Sequence, residues 1–472
     1  MQNTVVRLRS LTIENFKNVK NGFLDFENSR KKYKASILGL YGQNGSGKTA
    51  MIDAIDLLQF VLKGQSVPSK FADYIHVEAK YAFLRYEFSV SSENGNYHVF
   101  YEFKLKAESM ESNRNIADYK LLESKNKAVI YDEILSCSYE SGTQKLRKSP
   151  LIDTSSVKVF VPAGKYTCLV GKDKDKEVNL LVDKKIAYNE SRSFIFSREL
   201  LAAIRENKQE DFQYQIYMNL LESLVRYGNY ELFVIKTANS GIISMDILPL
   251  SFKYEDKNRG AVGEILISLE EAALIPEEAF DMAKQVISSM NIVLTQIVPG
   301  LTILVKNLGD ALLSNGKKGV RVQLVSLKNE KEIPLKYESE GIKKIISILQ
   351  LLIVIYNRSS ITVAIDELDS GVFEYLLGEL LRIISEKGKG QLLFTSHNLR
   401  PLETIDRGFI AFTTTNPLNR YIRMNNLKEN NNLRDFYFRD IILGEQKEEV
   451  YNSTNNAEIA LAFREAGEIS GS

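Results

Sequence analysis

Eight residues constrain this chain of 472 more than any others: Gly42-Gln43-Asn44-Gly45-Ser46-Gly47-Lys48-Thr49, a complete G-x-x-x-x-G-K-[ST] loop. Its flanks are the ones such a loop needs. The apolar run Ser36–Tyr41 leads in as a strand, and Ala50-Met51-Ile52-Asp53-Ala54-Ile55-Asp56-Leu57-Leu58 follows with apolar residues at helical spacing. The glycines let the backbone curl until successive N–H groups converge on an anion. Lys48 adds a point charge for β- and γ-phosphates, Thr49 a hydroxyl for Mg2+, and the helix its positive dipole end. Strand, loop and helix in this order imply an α/β core built around a nucleoside triphosphate.

Composition removes several other classes. The chain is 44% hydrophobic and 26% charged, the balance of an ordinary globular protein. No apolar stretch reaches the ~20 residues of a membrane span, and Met1–Arg9 has no apolar signal core. Cys137 and Cys168 sit in no metal-like Cys/His cluster, so reduced structural thiols and a cytoplasmic location are expected. A formal net charge of +1 gives no global electrostatic case for nucleic acid, which would need a local patch.

Strand patterns open the chain at Val5–Ile13 and Gly22–Phe26. From Val77 to Tyr139 the pattern alternates with period two, as in Tyr81-Phe83-Tyr86-Phe88-Val90 and Tyr97-Val99-Tyr101-Phe103-Leu105, with Asn94-Gly95 as a hairpin turn. An antiparallel sheet with a core-facing aromatic side is expected. Arg147–Glu190 reads as loops and short elements, with Lys172–Lys176 as a solvated loop. Ser193–Tyr227 and Ile265–Val298 read as helical, without a heptad run long enough for a coiled-coil arm. Val320–Lys336 reads as a hairpin turning near Asn329, and Asn425–Arg434 is a polar stretch. From Glu338 onward helix and strand alternate, as under a parallel sheet.

Three further elements complete a nucleotide site. Ser360–Ile365 is a buried-strand run ending in Asp366-Glu367; the first carboxylate suits Mg2+ beside Thr49, and the second can polarise an attacking water. After Leu368-Asp369-Ser370-Gly371 and a helix, Gln391–Ser396 forms a second strand ending in His397, whose imidazole can reach the γ-phosphate or the water. Upstream, Glu338-Ser339-Glu340-Gly341-Ile342 opens an apolar helix, a second anion-binding device that its own phosphate loop does not need.

In this order the motifs resemble those of ABC-type AAA family ATPases, and most closely the SMC, RecF and OLD-like group. Ile13-Glu14-Asn15-Phe16-Lys17-Asn18 is similar to that group's I-x-N-F-[RK] opening. The resemblance covers residues 4–60 and 335–415. It implies an α/β, ABC-type P-loop head with an antiparallel β subdomain and an inserted helical subdomain. The implied domains are 1–76, the N-terminal part of the core; 77–190, antiparallel sheet and loops; 191–334, a mainly helical insert; 335–424, the C-terminal part of the core; and 425–472, a helical tail. It also implies that Asn15, Lys17 and Asp369 lie at the nucleotide. Two copies would sandwich ATP and Mg2+, as a homodimer or higher homo-oligomer, with Ser339 and Gly341 acting in trans on the partner's γ-phosphate. The usual Leu-Ser-Gly-Gly-Gln is Glu338–Ile342 here, so its Gln is replaced and Glu340 adds a carboxylate. Gln59 is a candidate for the group's metal-contacting Gln loop but reads as a helix residue.

The resemblance implies a slow ATPase working as a conformational switch. One role is the regulatory ATPase of an anti-phage, abortive-infection system controlling a separate nuclease or toxin, with no membrane contact. The alternative is a RecF-like ATPase of DNA repair. A self-contained OLD-type nuclease is not expected: Asn398–Ser472 is short for a Toprim domain, and Asp435 and Asp440 form no such motif. In the tail, Ile459, Ala460, Leu461 and Phe463 form an apolar stripe, expected to pack on the subunit's own core rather than to dock an effector.

Overall fold

The computed structural model describes residues 4–28, 30–109, 126–142, 144–236, 247–256, 259–268, 272–313, 316–328, 331–424, 432–444 and 446–469. The chain opens with β1 (Val5–Phe16), β2 (Val19–Asp25), β3 (Ser36–Tyr41) and helix α1 (Lys48–Leu62). Four long strands follow: β4 (Ala82–Ser92), β5 (Gly95–Ser109), β6 (Asn126–Ser141) and β7 (Gln144–Asp153). Strands β1, β2 and β4–β7 form one antiparallel sheet in the order β2-β1-β4-β5-β6-β7. Alternation decides its faces: Leu84, Tyr86, Phe88, Tyr101 and Phe103 are fully buried on one side. Ser92 pairs with Gly95, so the hairpin turns through Glu93-Asn94, one residue before the Asn94-Gly95 turn that the sequence suggests.

Helices α2 (Ala163–Leu169), α3 (Lys174–Asn189), α4 (Arg198–Glu206) and α5 (Phe212–Tyr230) lead to a short strand, β8 (Leu232–Ile235). Helix α5 crosses α1 closely enough that a Cβ on Gly228 would lie 2.4 Å from Leu62 Cβ. Next come β9 (Ile247–Asp256), β10 (Arg259–Ser268), β11 (Ala273–Pro276), α6 (Glu277–Ile297), β12 (Leu301–Leu312), β13 (Lys318–Lys328) and β14 (Lys331–Pro334). Strands β9 and β10 pair with each other, and β11–β14 form a small antiparallel sheet.

The expectation of a mainly helical insert over 191–334 is corrected: its described part is mixed, with seven strands beside α4, α5 and α6. Ile265–Val298 is strand to Ser268 and helix only from Glu277. The turn near Asn329 lies outside the described residues. Arg147–Glu190 also differs, because Lys174–Asn189 is helical and Asp173, expected in a loop, is its N-cap, accepting from Asp175 and Lys176 N–H groups.

The last part of the chain builds the second large sheet. Helix α7 (Glu340–Asn357), β15 (Thr362–Ile365), α8 (Glu374–Lys387), β16 (Gln391–Thr395), β17 (Ile410–Thr413) and β18 (Tyr421–Ile422) precede α9 (Leu433–Leu443) and α10 (Asn456–Ile469). The sheet order is β18-β17-β3-β16-β15-β8, parallel except for β18. Both faces are covered, as a parallel sheet requires. Leu38, Leu40, Ala364 and Leu393 pack with α1, α5 and the antiparallel sheet, while Ile37, Val363, Ile365 and Phe394 pack with α6, α7 and α8. Residues 425–431 of the expected polar stretch lie outside the described residues. The tail helix does not pack on its own core: Ile459, Leu461 and Phe463 are exposed.

One consequence of this order fixes the site. Strand β16 lies between β3 and β15, with Thr395 opposite Leu40 and Ile365 opposite Phe394. The loops after all three strands therefore leave the same sheet edge as neighbours.

Candidate nucleotide site

Each of those loops brings one part of the chemistry. After β3 the backbone turns through Gly42, Gly45 and Gly47 with φ of 151°, 77° and 96°, a region that strains residues with a side chain. A Cβ on Gly42 would also meet Thr413 Oγ1 at 1.7 Å. The loop ends in Gly47 as the N-cap of α1, whose first turn has no side-chain cap and presents backbone N–H groups. Its shape is braced from outside. Tyr421 donates its hydroxyl to the Gly47 carbonyl at 2.9 Å, Asn18 donates its amide to the Gly45 carbonyl, and Ser46 pairs with Thr413. Gln43 Oε1 accepts the N–H of Asn452 at 3.0 Å, which ties the tail to the loop.

Lys48 curls over this loop, its ammonium donating to the carbonyls of Gly42 at 2.8 Å and Gln43 at 3.0 Å. Burial pushes its pKa down, against the pull of Asp366, Glu367 and Asp369. At the end of β15, the Asp366 carboxylate is buried and meets two hydroxyls: Thr395 Oγ1 donates at 2.6 Å and Thr49 Oγ1 lies at 3.5 Å. The Thr395 oxygen in turn accepts the N–H of Glu367 at 2.8 Å. Glu367 itself has φ of 49°, a left-handed backbone that the surrounding structure must hold in place. After β16, Asp369 Oδ2 accepts the N–H groups of His397 at 3.0 Å and Asn398 at 2.9 Å, fixing the turn that presents the imidazole.

These side chains face a common cleft of about 470 Å3, lined among others by Lys17, Lys48, Thr49, Asp366, Glu367 and His397. Asn44, Gly45 and Gly47 line it too. Gly42, Gln43, Ser46 and Asp369 do not; they shape the loops behind it. Asn15, expected at the nucleotide, is also outside the lining: its carbonyl accepts the N–H of His76 at 2.9 Å. Ser339 and Gly341 lie outside their own cleft. Ser339 is an exposed N-cap of α7, accepting from the Ile342 N–H at 3.4 Å, and a Cβ on Gly341 would sit 2.2 Å from the Gly371 carbonyl oxygen. Gln59 stays in α1 as read, its amide bonded to the Leu232 carbonyl.

Sequence reasoning misses three residues here. Thr395 has no motif of its own beyond a hydroxyl near the end of a buried strand. Asn18 follows Lys17 and reaches the loop only through the β1–β2 turn. Lys344 is buried at 3% exposure near the start of α7, where burial lowers its pKa and Glu367, Asp369 and Asp366 raise it. Its one signal is a pair of lysines opening an otherwise apolar helix.

The donors present fit Mg2+. Thr49 and Asp366 supply hard oxygen ligands side by side, and no group of three His, Cys, Asp or Glu among the described residues forms a cage of its own. A cation here would be completed by phosphate oxygens and water, the usual habit of Mg2+.

A family model for the AAA ATPase domain (AAA_15) matches residues 7–400. The chain belongs to the AAA ATPase domain family. Among solved structures, the ATPase is similar to an SMC head bound to the C-winged helix domain of ScpA, at 12% identity and a TM-score of 0.38 over 88% of this chain and 98% of that one. The SMC head domain from Thermotoga maritima gives 14% and 0.37 over 89% and 100%. The recombination mediator protein RecF with ATP gives 14% and 0.32 over 83% and 94%. No curated protein matches it significantly. Nucleotide binding follows from the family, and no helix among the described residues is long and apolar enough to cross a membrane.

Proposed function

We propose that this ATPase is a dimeric switch: two copies close around two ATP molecules, open on hydrolysis, and control a separate effector. The position of Ser339 carries this reading. Lys48, Thr49, Asp366, Glu367 and His397 share one cleft, whereas Ser339 and Gly341 stand outside it at the exposed N-terminus of an 18-residue helix. That helix end suits an anion that its own chain does not hold, so a second copy is its natural counterpart.

Within one cleft the roles divide by reach. Lys48 and the N–H groups of Gly45–Thr49 bind the phosphates, Glu367 polarises the attacking water, and His397 meets the γ-phosphate. Thr395, which lines the cleft, and Asp369, which lies behind it, orient these groups. Mg2+ held by Thr49 and Asp366 would neutralise charge on the β- and γ-phosphates. In trans, Glu340 brings a carboxylate beside Ser339, partly answered by Lys343 Nζ at 3.9 Å.

For the biological role, control of a nuclease or toxin in anti-phage defence is favoured over DNA repair. A DNA-binding face draws its affinity from basic residues that reach phosphates. On the outer face of the antiparallel sheet Arg85 pairs with Glu102, Lys104 with Asp132, and Lys106 and Lys127 with Glu108. A toxin or nuclease frame beside the gene would agree with this choice, and tight binding to gapped DNA at moderate salt would reverse it.

The test of the switch is Glu367→Gln, which should bind ATP without turning it over and accumulate as a dimer in light scattering. A variant that binds ATP and stays monomeric at every protein concentration would refute the trans arrangement.

A further inference from the structure

Three lysines converge on two buried aspartates beneath the phosphate loop. Asp53 and Asp56 lie one turn apart on α1, 2% and 8% exposed. Asp53 pairs with Lys17 through one oxygen and with Lys236, at 2.6 Å, through the other. Asp56 pairs with the same Lys236 and with Lys70 at 3.8 Å. Burial works against the charge on Lys236, but hydrogen bonds to Asp53 and Asp56 outweigh it and hold its pKa above the ordinary value.

Among the described residues, the three lysines that ion-pair here outnumber the two aspartates, and Lys63 adds a further positive charge near Asp56. Lys236 bridges both carboxylates, so Lys17 is the member that can leave without stranding a buried anion. Of the three, Lys17 is also the one that lines the nucleotide cleft. Its ammonium rests 4.2 Å from the centre of the Tyr74 ring, and its own N–H donates to the Tyr74 carbonyl at 2.5 Å. Lys17 has a left-handed backbone, φ 54°, which lysine adopts less readily than its neighbour Asn15 does at φ 55°, so the turn is held partly against its preference. The turn thus points one lysine both at Asp53 and at the cleft.

We infer that Asp53 is a positioning residue that holds Lys17 beside the phosphate loop and yields it to the phosphates when a nucleoside triphosphate enters, while Lys236 keeps the buried charges balanced. The inference rests on the nucleotide-site reading above. ATP must then compete with Asp53 for the Lys17 ammonium, and nucleotide affinity is set partly by how tightly that carboxylate holds.

A double-mutant cycle measures the competition, with Kd for a fluorescent ATP analogue as the readout. Asp53→Asn should bind about fivefold tighter than wild type, the scale of a charge pair partly screened by water. Lys17→Met should bind more weakly, and adding Asp53→Asn to Lys17→Met should change nothing further. Unchanged or weaker binding by folded Asp53→Asn overturns the inference, as does an equal gain in the Lys17→Met background. Should Asp53→Asn not fold, wild-type protein carrying 13C-methylated lysines answers the question: the Lys17 resonance must shift on adding ATP, and a static one overturns the exchange. Lys48→Ala separates the two levels. If wild type binds and Lys48→Ala does not, the site stands whatever the cycle gives; if wild type itself fails to bind, the site reading falls first.

Discussion

Replacing Thr395 with valine removes one hydroxyl and almost nothing of the shape. The residue is fully buried, and its oxygen joins the Asp366 carboxylate to the backbone of Glu367, donating to Asp366 at 2.6 Å and accepting from the Glu367 N–H at 2.8 Å. A hydrogen bond to a charged group contributes about 1.5–3 kcal/mol, and an N–H left without an acceptor costs about 1–3 kcal/mol. Partial access to water trims the second term, because Glu367 is only half-buried. The sum is about 2–4 kcal/mol. At about 2.1 cal/mol/K per residue, a chain this long has an unfolding entropy near 1 kcal/mol/K, so Tm should fall by about 2–4 °C. Turnover should suffer more. Asp366 and Glu367 would no longer share a fixed anchor, and misplacement by about 1 Å can cost about 100-fold in rate. A steady-state phosphate-release assay should show kcat lowered about 10–100-fold. Equilibrium ATP binding should stay within about threefold, because Lys48 and the loop N–H groups are untouched. Thr395→Ser, which keeps the hydroxyl, should recover most of the loss. Full turnover by folded Thr395→Val would refute the anchoring role, and so would loss of ATP binding in step with turnover.

Two glycines make further tests of the packing around the site. Gly341→Ala places a Cβ 2.2 Å from the Gly371 carbonyl oxygen, so the Ser339 element must lift from the Asp369–Gly371 loop; turnover and ATP-dependent dimerisation should fall together while ATP binding by single copies persists. Gly228→Ala pushes against Leu62 at 2.4 Å, and overpacking of about 1–3 kcal/mol should lower Tm without changing ATP affinity per folded molecule, as calorimetry and titration would show.

Much of the site was legible because its parts are local. A phosphate loop is one unbroken string, and Asp366-Glu367 and His397 announce themselves as polar residues closing apolar strand runs. What joins them is not local. Thr395 matters through partners 28 and 29 residues away, and Lys344 through carboxylates on a different loop. The errors in the fold have similar causes. Helix α3 buries only Leu180 and Ala187, too few to print a helical stripe, so the sequence pattern leaves its N-cap Asp173 looking like loop. Strand β11 is four residues long and runs straight into α6, and a run that short has no period to separate strand from helix. The apolar positions of α10 form a stripe in the sequence, yet a stripe does not say which molecule covers it.

The central claim is that two distant stretches of chain meet around one metal–triphosphate, and Mn2+ in place of Mg2+ tests it directly. Electron paramagnetic resonance can count Mn2+ bound with ATP to wild type, Lys48→Ala and Asp366→Asn. The account predicts one Mn2+ per chain for wild type and none for Lys48→Ala. For Asp366→Asn it predicts at least about tenfold weaker Mn2+ binding, with metal-free ATP still bound. Wild-type Mn2+ affinity in Asp366→Asn would contradict it.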